Sequence, residues 1–161
     1  MEARPDGVDA PRLELMEETM TATNARAEIE VLSREECLRL LAAEEIGRIA
    51  VVLGRQPLIM PVNYVLDAET IVLRTDPGTK LATASFERVA FEVDRIDRER
   101  QVGWSVLVQG VGQEITSAYS RLFERVRALS ITPWAPGDKE HWLRIMPVEI
   151  SGRRVGASAT S

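Results

Sequence analysis

Apolar residues in this chain gather in short runs separated by turn residues. Residues 48–53 read Arg-Ile-Ala-Val-Val-Leu and stop at Gly54. Two more runs, 58–66 and 70–75, follow turns at Gly54-Arg55-Gln56-Pro57 and Asp67-Ala68-Glu69. Short strands joined by short turns predict an antiparallel meander. Residues 89–93 add a strand, and residues 104–115 form the longest. Along the longest run Trp104, Val106, Val108 and Gly110 fall on one face, and Ser105, Leu107, Gln109 and Val111 on the other. Gly110 and Gly112 predict a bulge or bend, which a closing barrel requires. Residues 142–151 make the last strand.

A weak helical pattern runs through Leu13, Met16, Glu17 and Met20, and three helices are expected beyond it. Ser33-Arg34-Glu35-Glu36 reads as a capping box, with the Ser33 hydroxyl accepting from the Glu36 amide and Glu36 reaching back to the Ser33 amide. The helix it opens carries Cys37, Leu38, Leu40 and Leu41 on one broad face and should end near Gly47. A short helix is expected over residues 80–86, and another over 117–129 with Leu122, Val126 and Leu129 in step. About six strands and no repeated βαβ unit predict a mainly β protein, a small antiparallel barrel with peripheral helices. Residues 1–28 read as a flexible arm broken by Pro5, Gly7 and Pro11, residues 29–154 as the domain, and residues 155–161 as a disordered tail.

Composition narrows the function. With 161 residues the chain is one domain's worth, and 25 acidic against 20 basic side chains give a net charge of −5. A mildly acidic chain whose arginines at 95–100 alternate with Asp94, Asp97 and Glu99 is a poor partner for nucleic acid. One cysteine and one histidine cannot build a Cys/His zinc site, and a lone Cys37 cannot form an internal disulfide. No apolar run approaches membrane-spanning length, and residues 1–11 have no secretory pattern, so a cytoplasmic protein is expected.

No catalytic triad, Walker loop or dinucleotide fingerprint is present. Residues 71–81, Ile-Val-Leu-Arg-Thr-Asp-Pro-Gly-Thr-Lys-Leu, carry the most chemistry. A strand delivers Arg74 and Thr75, a Pro-Gly turn follows, and Thr79 and Lys80 open a helix; a hydroxyl, cations and helix amides together suit a phosphate monoester, and a plain strand end and turn with Lys80 solvated fits the same residues. In Met60-Pro61-Val62-Asn63-Tyr64, Pro61 marks an edge or a ligand-facing gap, and Asn63 both donates and accepts. Trp104 is large enough to cover an aromatic ligand or to fill a core. Trp142 and Arg144 project to one side of the last strand, an arrangement that suits a planar anionic ligand or simple stacking.

These stretches occur in an order that resembles the pyridoxamine 5′-phosphate oxidase-like family of FMN-binding split barrels, in particular its nitroimidazole-resistance-protein-like branch. The resemblance spans residues 31–154 and rests on Gly-Arg-Ile-Ala-Val, Pro-Val-Asn-Tyr, Arg-Thr-Asp-Pro-Gly-Thr-Lys, Phe-Glu-Val-Asp, Gly-Trp-Ser-Val-Leu-Val-Gln-Gly and Ile-Ser-Gly-Arg. It implies a six-stranded antiparallel split barrel and a homodimer with FMN at the subunit interface. By the same resemblance, Pro61, Val62, Asn63 and Tyr64 line the isoalloxazine. Arg74 and Thr75 sit at the ribityl–phosphate end, with Thr79 and Lys80 on the phosphate. Ser105 stands where family members place a polar flavin contact, and Trp142 and Arg144 reach in from the last strand.

The chain also departs from the oxidase proper. Thr79-Lys80 stands in place of an Arg-Lys pair, Trp104-Ser105 in place of Arg-Gln, and the C-terminal basic substrate motif is absent. Genuine pyridoxamine phosphate oxidation is therefore not expected. The leading expectation is a flavin-dependent oxidoreductase for a small or planar substrate. A non-catalytic flavin- or haem-binding or sensing module, and a deazaflavin-dependent reductase of the same fold, stand as alternatives. Tyr64 is either a proton donor or a packing residue.

Overall fold

The computed structural model describes residues 27–76, 88–134, 136–137 and 139–157. Seven strands and two α-helices run in the order β1 (Ala27–Val31), α1 (Arg34–Ala43), β2 (Ile46–Leu53), β3 (Gln56–Asp67), β4 (Thr70–Thr75), β5 (Arg88–Asp97), β6 (Val102–Ile115), a 3₁₀ turn (Ser117–Tyr119), α2 (Ser120–Arg127) and β7 (His141–Ala157). The sheet order is β1-β7-β4-β3-β2-β5-β6, and β6 pairs with β7 to close it. Every pairing between strands is antiparallel. Six strands thus form the ring that the sequence predicts, and β1 is appended to the far end of β7.

The barrel interior follows strand alternation. Ile49 and Val51, Ile71 and Leu73, Phe91 and Val93, Val106 and Val108, and Leu143 and Ile145 are all buried. Helix α1 plugs the barrel with Cys37, Leu40 and Leu41, and all of these residues join one core cluster. A Cβ on Gly47 would lie 2.2 Å from Cζ of Phe91, so glycine is what lets that ring fill the centre. Ladder register shifts between Gln109 and Gly110, the bulge expected there. A Cβ on Gly110 would meet the Met146 carbonyl oxygen at 2.4 Å.

Local chemistry fixes the ends of the elements. The Ser33 hydroxyl accepts from the Glu36 amide at 3.2 Å, as one half of a capping box should. The other half is absent: Glu36 accepts from Arg154 of β7 and from Arg39 instead. Gly54 at φ 64° turns β2 into β3, and Pro57 lies inside β3 rather than in the turn. Pro61 pairs with Arg48 of β2, but the β3–β4 ladder begins only at Tyr64. The proline therefore falls where β3 has a neighbour on one side, so its missing N–H breaks no second ladder.

Three expectations change. α1 ends at Ala43, before Gly47. The last strand runs to Ala157, because Val155 and Ala157 pair with Ile29 and Ala27 of β1. A seventh strand therefore joins the six expected. The helix expected at 80–86, with Thr79 and Lys80, lies outside the described residues, as do residues 1–26 of the arm and residues 158–161 of the tail.

Candidate functional site

The outer face of β4, β7 and β6 carries a second, smaller core. Val72, Ile115 and Trp142 pack there beneath Val126 of α2 and Ile131. Register builds the face in rows: Arg74 pairs with Trp142 and Trp142 with Ile115, while Val72 pairs with Arg144 and Arg144 with Gln113. Asn63 and Arg74 flank the Tyr64–Leu73 pair on the outward side. Asn63, Arg74, Trp142 and Arg144 therefore share one surface.

Each of these side chains is held. The Arg74 guanidinium stacks 5.1 Å from the centroid of the Trp142 ring, and its Nε donates to the Lys139 carbonyl at 2.8 Å. Arg144 donates Nε and Nη2 to Oε1 of Gln113 at 2.8 and 2.5 Å. Asn63 Oδ1 accepts from the Trp134 amide at 2.9 Å, tying the loop after α2 to β3. That leaves the Asn63 side-chain nitrogen to donate elsewhere. Lys139 in turn donates from Nζ to Asp76, at the end of β4.

Beside Arg74 and Trp142 opens a cleft of about 460 Å³, completed by Phe123, Arg127, Leu129 and Glu140. Arg127 stacks 5.5 Å from the Phe123 centroid. Two guanidinium groups, each backed by an aromatic ring, thus face one cavity of ligand size. A second hollow of about 250 Å³ adjoins Asn63, between Glu44 and Glu45 and residues 130–132. The sequence reading missed Phe123, Arg127 and Glu140. Only the i, i+4 spacing of Phe123 and Arg127 hinted at a shared face.

The remaining expected site residues lie elsewhere. The Tyr64 ring points inward and is 4% exposed, edge-on to Phe91 at 4.8 Å. Its O–H donates to the Leu41 carbonyl at 2.6 Å. Burial first, and the negative charge of Glu44 second, push its pKa well above the ordinary tyrosine range. Of the two roles open to Tyr64, the structure shows packing. Thr75 is buried beside His141, whose Nδ1 lies 2.6 Å from Oε1 of Glu114. Pro61 and Val62 are on the half of β3 without a β4 partner. Ser105 pairs with Asp94 and Arg153, ten residues along β6 from the Ile115 that adjoins Trp142. Within one chain, Ser105 does not meet the Asn63–Arg74–Trp142 row.

Among the described residues no cluster of His, Cys, Asp and Glu could hold a metal ion, and no helix is long and apolar enough to cross a membrane.

Residues 33–154 match the family model described as pyridoxamine 5′-phosphate oxidase. Among solved structures, an FAD-binding protein from Mycobacterium smegmatis is 32% identical, with a TM-score of 0.60 over 79% of this chain and 98% of its own. An FAD-binding protein from Mesorhizobium loti is 27% identical, with a TM-score of 0.65 over 78% of this chain and 97% of its own. A 5-nitroimidazole antibiotic resistance protein from Bacteroides thetaiotaomicron shares the fold at a TM-score of 0.60 and 12% identity, over 80% of this chain and 89% of its own.

Proposed function

Because the chain belongs to the pyridoxamine 5′-phosphate oxidase family, we propose that it binds a flavin nucleotide on the outer face of β3, β4 and β7. It acts, in this reading, as a flavin-dependent oxidoreductase on a small or planar substrate. The observation that carries the proposal is the row formed by Asn63, Arg74 and Trp142, which sets an amide, a cation and a buried aromatic side by side. Similarity to two FAD-binding proteins above 25% identity supports it.

A bound flavin would supply the hydride chemistry. Arg74 would hold the phosphate end of the riboflavin phosphate unit that FMN and FAD share, with Thr79 and Lys80 assigned to the same phosphate from the sequence. Asn63 would donate to the ring edge, and Arg144, fixed by Gln113, would orient the anionic side of the ligand. No acid or base is assigned to Tyr64.

We further propose a homodimer. The separation of Ser105 from the Arg74 row leaves the site incomplete in one chain. Val52 of β2 and Val148 of β7, which line one hollow, and Ile59 of β3 are meanwhile 64%, 69% and 69% exposed, apolar area that a second copy would cover. The test is the visible spectrum of the purified protein, with titrations of FMN, FAD and a deazaflavin, and sedimentation for oligomeric state. Saturable flavin binding by a dimer is expected, with turnover of a quinone or nitroaromatic acceptor. Tight binding without turnover of any acceptor would reduce the proposal to a flavin carrier, and binding of the deazaflavin alone would replace the cofactor.

A further inference from the structure

The α2 cleft raises a question that flavin binding alone leaves open, namely what its second arginine is for. Arg74 and Arg127 come from different elements, β4 and α2, and neither has a carboxylate partner among the described residues. Other described arginines also lack a carboxylate, but Arg74 and Arg127 are the two that stack on aromatic rings, and both line the same cavity. Stacking on Trp142 and Phe123 covers one face of each guanidinium and leaves N–H edges for an anion. Two such forks in one cavity match a ligand with two phosphates better than one with a single phosphate.

The remaining lining is also informative. Phe123 and Leu129 offer apolar contact for a purine. Glu140 is the only carboxylate among the described residues that line the cleft. It would repel a phosphate placed against it, but it is a good acceptor for vicinal ribose hydroxyls, the role an acidic residue takes in dinucleotide sites. Cations, an apolar ring and one carboxylate together are what an adenosine diphosphate group needs.

We infer that the cleft between α2 and the Arg74–Trp142 pair takes the adenosine diphosphate half of FAD, with Arg127 as the residue that makes the protein select FAD over FMN. The inference rests on the flavin reading above and deepens it: the sequence shows Thr79 where an Arg-Lys pair would have supplied a second cation, and Arg127 restores that charge from another element.

The experiment measures FMN and FAD affinity for the full chain and for Arg127→Ala and Glu140→Gln. Both side chains are exposed, so the variants should fold, and equal thermal midpoints check this. Arg127→Ala should weaken FAD about 10- to 100-fold, the range for one charge-assisted contact, and change FMN less than about 2-fold. Glu140→Gln should weaken FAD by about 3- to 10-fold with FMN unchanged. Equal effects on the two flavins, or none on FAD, would overturn the inference while leaving the flavin reading intact. Failure of the unmutated chain to bind either flavin would overturn both.

Discussion

Strand β4 presents two different environments on its two sides. Ile71 and Leu73 point into the barrel and are fully buried among aliphatic neighbours and Phe91. Val72 and Arg74, one residue away in each case, point outward beneath α2; the valine is buried and the arginine lies at the rim against Trp142. The interior is sealed by closure of the ring and by α1, so a charge there would have no water and no partner. The outer face is covered by one short helix and a loop, so its centre is dry and its rim is wet. Cations collect at that rim because their stems can lie on apolar surface while their heads stay solvated. The site is thus found where a core ends.

This contrast makes opposite demands on mutations. The largest effect on stability should come from the interior: Phe91→Ala is expected to cost about 3–5 kcal/mol, read from urea unfolding, because Phe91 is fully buried and Gly47 is shaped around it. A loss below about 1 kcal/mol would mean that the barrel centre collapses readily, contrary to close packing. Arg74→Ala should do the reverse. Its expected effect on stability is about 1 kcal/mol or less, since the hydrogen bond to the Lys139 carbonyl is part-buried. Flavin affinity, measured by titration, should fall about 10- to 100-fold for FMN and FAD alike. If Arg74→Ala instead unfolds the protein and leaves affinity unchanged in what remains folded, the outer face is structural and the proposed site is misplaced.

How far each region could be read from the sequence follows the same division. Alternation in residues 104–115 was enough to separate Val106 and Val108 from Leu107 onto opposite faces, and Gly110 announced its bulge, because both depend on strand period and local sterics; which face is the interior is shown only by the closed ring. Strand β1 was not legible. Its Ile29 and Val31 are 63% and 82% exposed, so no buried face marks it, and only pairing with β7 makes it a strand. The Pro-Val-Asn-Tyr stretch was half legible: period two sends Asn63 outward and Tyr64 inward, so the four residues could not all line one ligand through side chains. Phe123 and Arg127 could not be found locally, since α2 reaches the site through contact of Val126 with the outer core, and Glu140 lies in the loop just before β7.

Tyr64 tests the boundary between the two regions, because its ring is in the core and its hydroxyl satisfies the Leu41 carbonyl near the end of α1. Tyr64→Phe leaves that carbonyl without its partner and should cost about 1–2 kcal/mol at neutral pH. The pH dependence adds a second readout. The folded-state pKa of Tyr64 is raised, so its contribution to stability is complete below the ordinary tyrosine value and declines as pH rises past about 10, where the unfolded chain ionises first. The Phe variant should lack that part of the alkaline decline. Matching alkaline limbs for the two proteins would mean that Tyr64 is reached by water and is not a core residue.

The smallest effect belongs to the surface that ties α1 to β7. Arg154 donates to Glu36 and, at 2.9 Å, to Glu30, linking β1, α1 and the last strand at an exposed seam. The hydrogen bond from Arg154, more than its charge, holds the Glu36 carboxyl below the usual carboxylate range. A depressed carboxyl contributes stability above its unfolded pKa, near 4.3, and loses it as pH falls through the lower folded value. Glu36→Gln should therefore lower stability slightly at pH 7, because Arg154 loses a charged acceptor although Glu30 still engages it. It should flatten the acid limb of the unfolding curve below about pH 5, so that the two proteins converge at low pH. Added salt should shrink the difference at pH 7 and leave the Phe91 and Tyr64 effects in place, because only the seam is exposed to screening. If salt instead moves the interior variants as much as Glu36→Gln, the sealed core and wet rim that separate the two faces of β4 do not exist in solution.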